Sequence, residues 1–253
     1  MGSYNNTNNA EISRENPTYL TPDGLTFAIW AVIYILETFL SILQSLHMYR
    51  KKDLFKTSRK WICAAFLLNA LWLPTFAYHL WWLSLLVICT YLYALYKVSE
   101  TMPIEYHKNN VCTDVYIFAG ISINMAWVTV ATLINLLVVS RNSDIVVTIT
   151  NTTHPITIGG NVDMAIAGIV LACAIGVYRV IKHKDIPYAL ATAWALFGIY
   201  RHQKDFQLKQ WAIYTSALTG TIGLMYGCTV LLGRKQKKNT SKLGQPLTVA
   251  GEA

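Results

Sequence analysis

The stretch LTFAIWAVIYILETFLSILQSLHMY, Leu25 to Tyr49, carries a single formal charge, Glu37, in 25 residues. Coiled as a helix at ~1.5 Å per residue it reaches ~37 Å, enough to cross a bilayer with some tilt. Phe27, Trp30, Tyr34, Glu37, Ser41 and Gln44 recur at steps of three and four, so aromatic and polar side chains share one face while Ile, Val and Leu take the others. Such a stripe has something to hold, either a neighbouring helix or a ligand.

Six further apolar blocks follow, Trp61 to Tyr78, Leu80 to Val98, Val115 to Val139, Met164 to Ile181, Ile186 to Tyr200 and Trp211 to Leu232. With 54% hydrophobic and 13% charged residues, the chain is predicted to be an all-α, polytopic transmembrane bundle of about seven helices. The second and third blocks nearly touch, which predicts a tight hairpin around Tyr78 and His79. The sixth is the shortest, ~22 Å as a helix, with Asp185 as its N-cap and Pro187 in its first turn. Residues 1–15 read as a disordered tail, 16–139 as a four-helix core, 140–162 as a loop, 163–232 as a three-helix part and 233–253 as a basic disordered tail.

If the N-terminus lies outside, the inner connectors and C-terminal tail collect 16 of the 21 Lys and Arg residues, so the positive-inside rule predicts a cytoplasmic C-terminus. Asn151, in an Asn-Thr-Thr sequon, then lies outside as a glycosylation acceptor. The net charge of +8 reads as topology signal and as contact between the tail and anionic lipid head groups, not as a nucleic-acid site, since no recognition motif accompanies it. Cys63, Cys89, Cys112, Cys173 and Cys228 show neither disulfide nor zinc spacing, and no cofactor or metal is expected. No cleaved leader is expected either.

Three constellations stand above hydropathy. Asn16-Pro17-Thr18-Tyr19-Leu20-Thr21-Pro22 runs into Trp30-Ala31-Val32-Ile33-Tyr34; Leu68 to Phe76 reads LNALWLPTF; Ala126 to Asn135 reads AWVTVATLIN. Together they resemble the TspO family, the tryptophan-rich sensory proteins and their translocator or peripheral benzodiazepine receptor relatives. The family's proline-rich K-P-x-W-x-P-P aligns with Asn16 to Pro22, its W-x-x-L-Y with Trp30 to Tyr34, its L-N-x-x-W-x-P-x-F with Leu68 to Phe76, and its A-W-x-x-x-A-T-x-x-N with Ala126 to Asn135. Asp185 to Leu190 and Trp194-Ala195 are similar to a D-I-A-Y-A-L…W-A helix of longer bacterial members. Two features depart from the pattern. Family members have one more helix before the proline segment, so either a neighbouring helix takes its place or the sequence is an incomplete or alternative product. Ile123 and Asn124 stand where five-helix members carry Pro-Tyr.

Asn69, Asn124 and Asn135 in bilayer-buried positions must bond across helices or to a ligand. Trp30 and Tyr34, Asn69 and Trp72, and Trp127, Ala131 and Asn135 are expected to wall a cavity suited to a flat, mostly apolar molecule with a few polar groups. Taken residue by residue, packing and interhelical bonding explain these side chains as well. The resemblance implies the ligand class, porphyrins (tetrapyrroles) or sterol-like lipids, and a role as sensor or carrier. Glu37 is the one acid deep in a crossing, either a structural, amide-paired group or a proton-coupling one, and the second option carries an alternative reading as a proton-coupled small-molecule transporter. Gly168, Ala172 and Gly176, and Ser216, Gly220, Gly223 and Gly227, allow close backbone approach, within the chain or in a homodimer. No Ser-His, Cys-His or metal-ligand set marks an enzyme, no Asp-Arg-Tyr or Asn-Pro-x-x-Tyr marks a receptor, and the last block lacks a Schiff-base lysine.

Overall fold

A computed structural model describes residues 11, 13, 15–47, 53–102, 111–143, 146–147, 156–157 and 161–243. After a 3-10 turn over Gly24–Ala28 come helices α1 (Ile29–Ser45), α2 (Asp53–Ala77), α3 (Trp81–Thr101), α4 (Val111–Asn142), α5 (Val162–His183), α6 (Ile186–His202) and α7 (Phe206–Leu243). The chain is an all-α polytopic bundle, as the blocks predict, and six of the helices are long and apolar enough to cross a membrane, α1 when taken together with its 3-10 turn as Gly24–Ser45. The exception is α6, whose 17 residues span ~25 Å and have no such extension. Its first turn nevertheless meets α4 at Ser122, which donates to Asp185, while its last turn meets the chain ahead of α1, where Asp23 N–H donates to the Gly198 carbonyl at 3.0 Å. It therefore runs the depth of the bundle, packed against α4, α5 and α7 on one side and presenting Leu190, Trp194 and Phe197 outward on the other.

Several boundaries differ from the sequence reading; α2 begins at Asp53, eight residues before its apolar block, and α7 at Phe206, five before. Helix α4 begins at Val111 rather than Val115, and α7 continues to Leu243 through the basic run expected to be disordered. At ~57 Å, α7 is longer than the hydrocarbon is thick, so its end projects beyond it. Glu11, Ser13 and Glu15, in the segment expected to be a disordered tail, are helical, and Ser13 is buried. Within the 140–162 loop, Val146 and Val147 pair antiparallel with Thr157 and Ile156. Asn151 lies outside the described residues.

The α2–α3 hairpin turns where expected. His79 takes a left-handed conformation (φ 59°), its N–H and that of Leu80 close on the carbonyls of Phe76 and Thr75, and its ring stacks on Trp81 at 4.9 Å. One turn earlier Pro74 interrupts the backbone ladder of α2, and the Thr75 hydroxyl bonds back to the Trp72 carbonyl at 2.9 Å.

Helix α4 is the most enclosed: 72% of its most apolar window is buried, against 17–39% in the other five long helices. Its small and polar residues explain why. A Cβ on Gly120 would come within 2.9 Å of Leu36 Cβ, so only glycine lets α1 approach this closely. Asn124 donates to Glu37 of α1 at 2.5 Å and to the Tyr91 hydroxyl of α3 at 2.6 Å; Asn135 donates to Ser84 of α3 at 2.9 Å; Thr129 and Tyr188 of α6 share a hydroxyl pair at 2.8 Å. Where no water competes, each such bond contributes about 0.6 kcal/mol on average and fixes which helix lies beside which. The small residues of α5 and α7 are used inside the chain: Gly176 faces Thr219 of α7 and Thr192 of α6, and Gly220 and Gly223 face Ala193 and Ala189 of α6.

Candidate functional site

The residues that the sequence singles out meet near the Asp23 end of the bundle. Trp30 of α1 lies with its ring 6.3 Å from Trp72 of α2, stacked, and 6.3 Å from Trp127 of α4, edge-on. Phe27, in the 3-10 turn, meets Trp127 edge-on at 5.5 Å, and Phe76, one turn beyond Trp72, stacks on it at 5.6 Å. These rings, rather than close backbone packing, fill the space between α1 and α2. All three tryptophans are buried.

Beside two of them remains a void of about 20 Å³, lined by Phe27, Trp72, Phe76, Trp127, Ala131, Ile134 and Asn135, with Ser13 on it from the N-terminal segment; Trp30, expected as a wall, packs against Trp72 and Trp127 without lining it. That holds about one water molecule, whereas pockets for drug-sized molecules measure roughly 300–1,000 Å³. The sequence predicts an open cavity; the structure shows its walls closed on one another. Two polar atoms on this wall, Trp72 Nε1 and Asn135 Oδ1, are buried with no hydrogen-bond partner among the described residues. Each forfeits the bonds it would make to water, at about 1–3 kcal/mol; Gln44 Oε1, Asn69 Oδ1 and Asn124 Oδ1 are in the same state away from this wall.

The proline-rich segment roofs this end. Its Pro17 carbonyl accepts from Arg141 at the end of α4, the Thr18 and Thr21 carbonyls accept from Gln203 Nε2 at the end of α6 (3.2 and 2.9 Å), and Leu20 is buried against Gly168 of α5. Trp194 Nε1 donates to the Thr26 carbonyl at 3.0 Å, and Arg201 pairs with Asp23 at 3.1 Å.

Not every candidate joins the cavity. Tyr34 stacks on Trp30 at 5.4 Å but is 36% exposed on the outer side of the cluster. Asn69 lies one turn before Trp72, buried with its Oδ1 unpartnered, off the wall of the void. Glu37 sits two turns beyond Trp30, bonded to Asn124, with no basic partner among the described residues, and it faces the α1–α3–α4 junction rather than the rings. Asn124 accordingly does not continue the Trp127–Ala131–Asn135 wall. Sequence reasoning misses Phe27, Phe76, Ile134 and Ser13. Phe76 is legible as the i+4 neighbour of Trp72, and Phe27 as the first residue of the aromatic stripe; nothing in the sequence marks Ser13. No three His, Cys, Asp or Glu side chains gather as metal ligands among the described residues.

A family model described as TSPO-like protein matches residues 1–230. Neither a comparison with curated proteins nor one with solved structures finds a match.

Proposed function

The chain belongs to the TSPO-like family and is an integral, multi-pass membrane protein, and from that premise we propose that it binds a flat, mostly apolar molecule of the porphyrin or sterol class between α1, α2 and α4, as a sensor or carrier. The observation that carries this reading is the pair of unpartnered polar atoms, an indole donor and an amide acceptor, on the wall of an aromatic cavity. A ligand that presents an acceptor to Trp72 Nε1 and a donor to Asn135 Oδ1 satisfies both, while its ring system replaces the stacking that Trp30, Trp72 and Trp127 now supply to one another. Because the void is so small, binding requires the rings to part and Ser13 to withdraw. Helix α4 cannot yield, since it is bonded on three sides; the moving walls are α2, with its Pro74 interruption, and the segment before α1.

The test is quenching of tryptophan fluorescence by protoporphyrin in the purified, detergent-solubilised protein, with a sterol as competitor. Trp72→Phe keeps the stacking and removes the N–H; Trp30→Leu with Trp127→Leu removes one wall and the ring that backs it. Affinity falls severalfold in the first and is lost in the second. Saturable quenching of unchanged midpoint in both variants overturns the reading.

A second reading, proton-coupled transport of a small molecule, is favoured by one observation: the Glu37 carboxyl, buried in mid-crossing, is bonded by the Asn124 amide and by no cation among the described residues. Flux into sealed vesicles that responds to a pH gradient in the native protein and not in Glu37→Gln would support it; binding without flux leaves the sensor or carrier reading alone.

A further inference from the structure

At the opposite end of the bundle, α3, α4 and α5 leave a second and much larger pocket, about 480 Å³, floored by Phe118 and Ser99 and rimmed by Tyr96, Glu100, Arg179 and the run Lys182-His183-Lys184. Among the described residues its charges do not cancel. Glu100 is occupied by Lys97 Nζ at 2.7 Å and by the Tyr96 hydroxyl at 2.7 Å. Asp185 is occupied by Arg179, which donates from Nη2 at 2.5 Å and Nε at 3.1 Å, and by Ser122 and the Tyr188 N–H. Lys182 and Lys184 have no acidic partner among the described residues, and both residues line the pocket. Arg179 keeps Nη1 free of Asp185, 3.5 Å from Ser99.

The position of Lys184 sharpens this. It closes α5 in the left-handed conformation (φ 56°), its N–H bonded to the Val180 carbonyl and that of Asp185 to the Arg179 carbonyl. Glycine fits this capping position best, because a side chain there crowds its own backbone. The chain has a lysine at that place, on the rim of a concave, positively charged pocket at the ends of membrane-crossing helices. Basic pockets between helix ends on one face of a bilayer suit anionic head groups.

We infer that the pocket between α3, α4 and α5 binds a phosphate monoester, with Lys182 and Lys184 as its charge partners and Arg179 Nη1 as a third donor, the phosphate coming from a lipid head group or from a free phosphate ester. This site is independent of the ring cavity, and neither stands on the other.

The experiment uses the full chain, purified in a neutral detergent, and compares dioctanoyl phosphatidic acid, dioctanoyl phosphatidylcholine and glycerol 3-phosphate by isothermal titration. Phosphatidic acid binds saturably and the net-neutral phosphatidylcholine does not. Lys184→Gly weakens binding roughly fivefold, and Lys182→Gln with Lys184→Gly ~25-fold, the factor expected for one and two lysines near an anionic group. The glycine variant relieves the backbone, so its melting temperature stays level or rises and a folding defect cannot mimic the loss. Lys235→Gln/Lys237→Gln/Lys238→Gln, in the C-terminal run, binds as the native chain does. Phosphatidic acid binding more tightly than glycerol 3-phosphate assigns a lipid; equal affinities assign a soluble ester. The inference is overturned if the Lys182/Lys184 variant binds undiminished, if the tail variant alone abolishes binding, or if phosphatidylcholine binds as well as phosphatidic acid.

Discussion

Gly198→Ala tests the contact that holds the roof over the ring cavity. A Cβ at this position would clash with Thr26 Oγ1 and would lie 2.6 Å from its Cγ2 and 2.8 Å from its Cβ. Rotating the threonine moves the first two atoms away but not the third, so backbone must shift. Overpacking of this kind costs about 1–3 kcal/mol. A shift also lengthens the bonds that cross the same contact, Asp23 N–H to the Gly198 carbonyl and Trp194 Nε1 to the Thr26 carbonyl, at about 0.5–1.5 kcal/mol each. The sum is ~2–6 kcal/mol, and at about 2–4 °C per kcal/mol for a chain of this size the melting temperature should fall by ~4–24 °C. Thermal unfolding of the purified protein in detergent measures it. Thr26→Gly removes all three clashing atoms, so the double variant should recover at least ~1 kcal/mol of the loss as coupling between the sites. A fall under 2 °C, or strict additivity of the two substitutions, would refute the contact.

Other expectations follow from buried polar pairs. Asp185→Ala leaves Arg179 charged and buried without its carboxylate and should cost about 3–5 kcal/mol, measured as a sharp drop in folded yield and melting temperature, with Asp185→Asn milder because an amide still accepts. Glu37→Ala strips Asn124 of one acceptor and should cost about 1–3 kcal/mol, whereas Glu37→Gln keeps an acceptor oxygen in place and should cost less than 1 kcal/mol; equal melting temperatures for the two variants would show that the Asn124 bond contributes nothing. Gly176→Leu, which drives a branched side chain into Thr219 and Thr192, should part α5 from α6 and α7 and lower thermal stability by more than Gly233→Leu, which meets open space.

How much of this was legible depended on whether a feature is local. The seven helices, the turn at Tyr78 and His79, and the Asp185 cap, whose carboxylate accepts from the Tyr188 N–H, all follow from residues within a few positions of one another. The second role of Asp185, partner to Arg179 and acceptor from Ser122 63 positions away, has no local trace. Nor does the rank of the helices. Sequence reading starts from the first crossing because its stripe is conspicuous, yet α4 is the enclosed one, and a helix apolar on all sides scores alike whether it faces lipid or protein. The clue lies in the polar residues, since Ser122, Asn124, Thr129 and Asn135 point in several directions at once and each needs a partner. At the candidate site the convergence of Trp30, Trp72 and Trp127 follows from motif spacing, but the closed state of the cavity depends on ring rotamers and on Ser13, which no spacing encodes.

Closure of the ring cavity is a balance of opposing terms. Against it stand the unpartnered Trp72 Nε1 and Asn135 Oδ1, at about 1–3 kcal/mol apiece. For it stand four ring pairs, Phe27 with Trp127, Trp30 with Trp72 and with Trp127, and Trp72 with Phe76, at about 0.5–1.5 kcal/mol each beyond the area they bury. Both sums come to ~2–6 kcal/mol, and the apolar area that the rings bury adds to the side of closure; on the proposed function a ligand opens the cavity by the bonds, stacking and buried area that it supplies to the open form alone. On the proposed function, that makes affinity sensitive to residues that stabilise closure without touching the ligand. The roof bonds from Arg141 and Gln203 to the proline segment are such residues: weakening them favours the open form and tightens binding, whereas weakening the cavity wall loosens it.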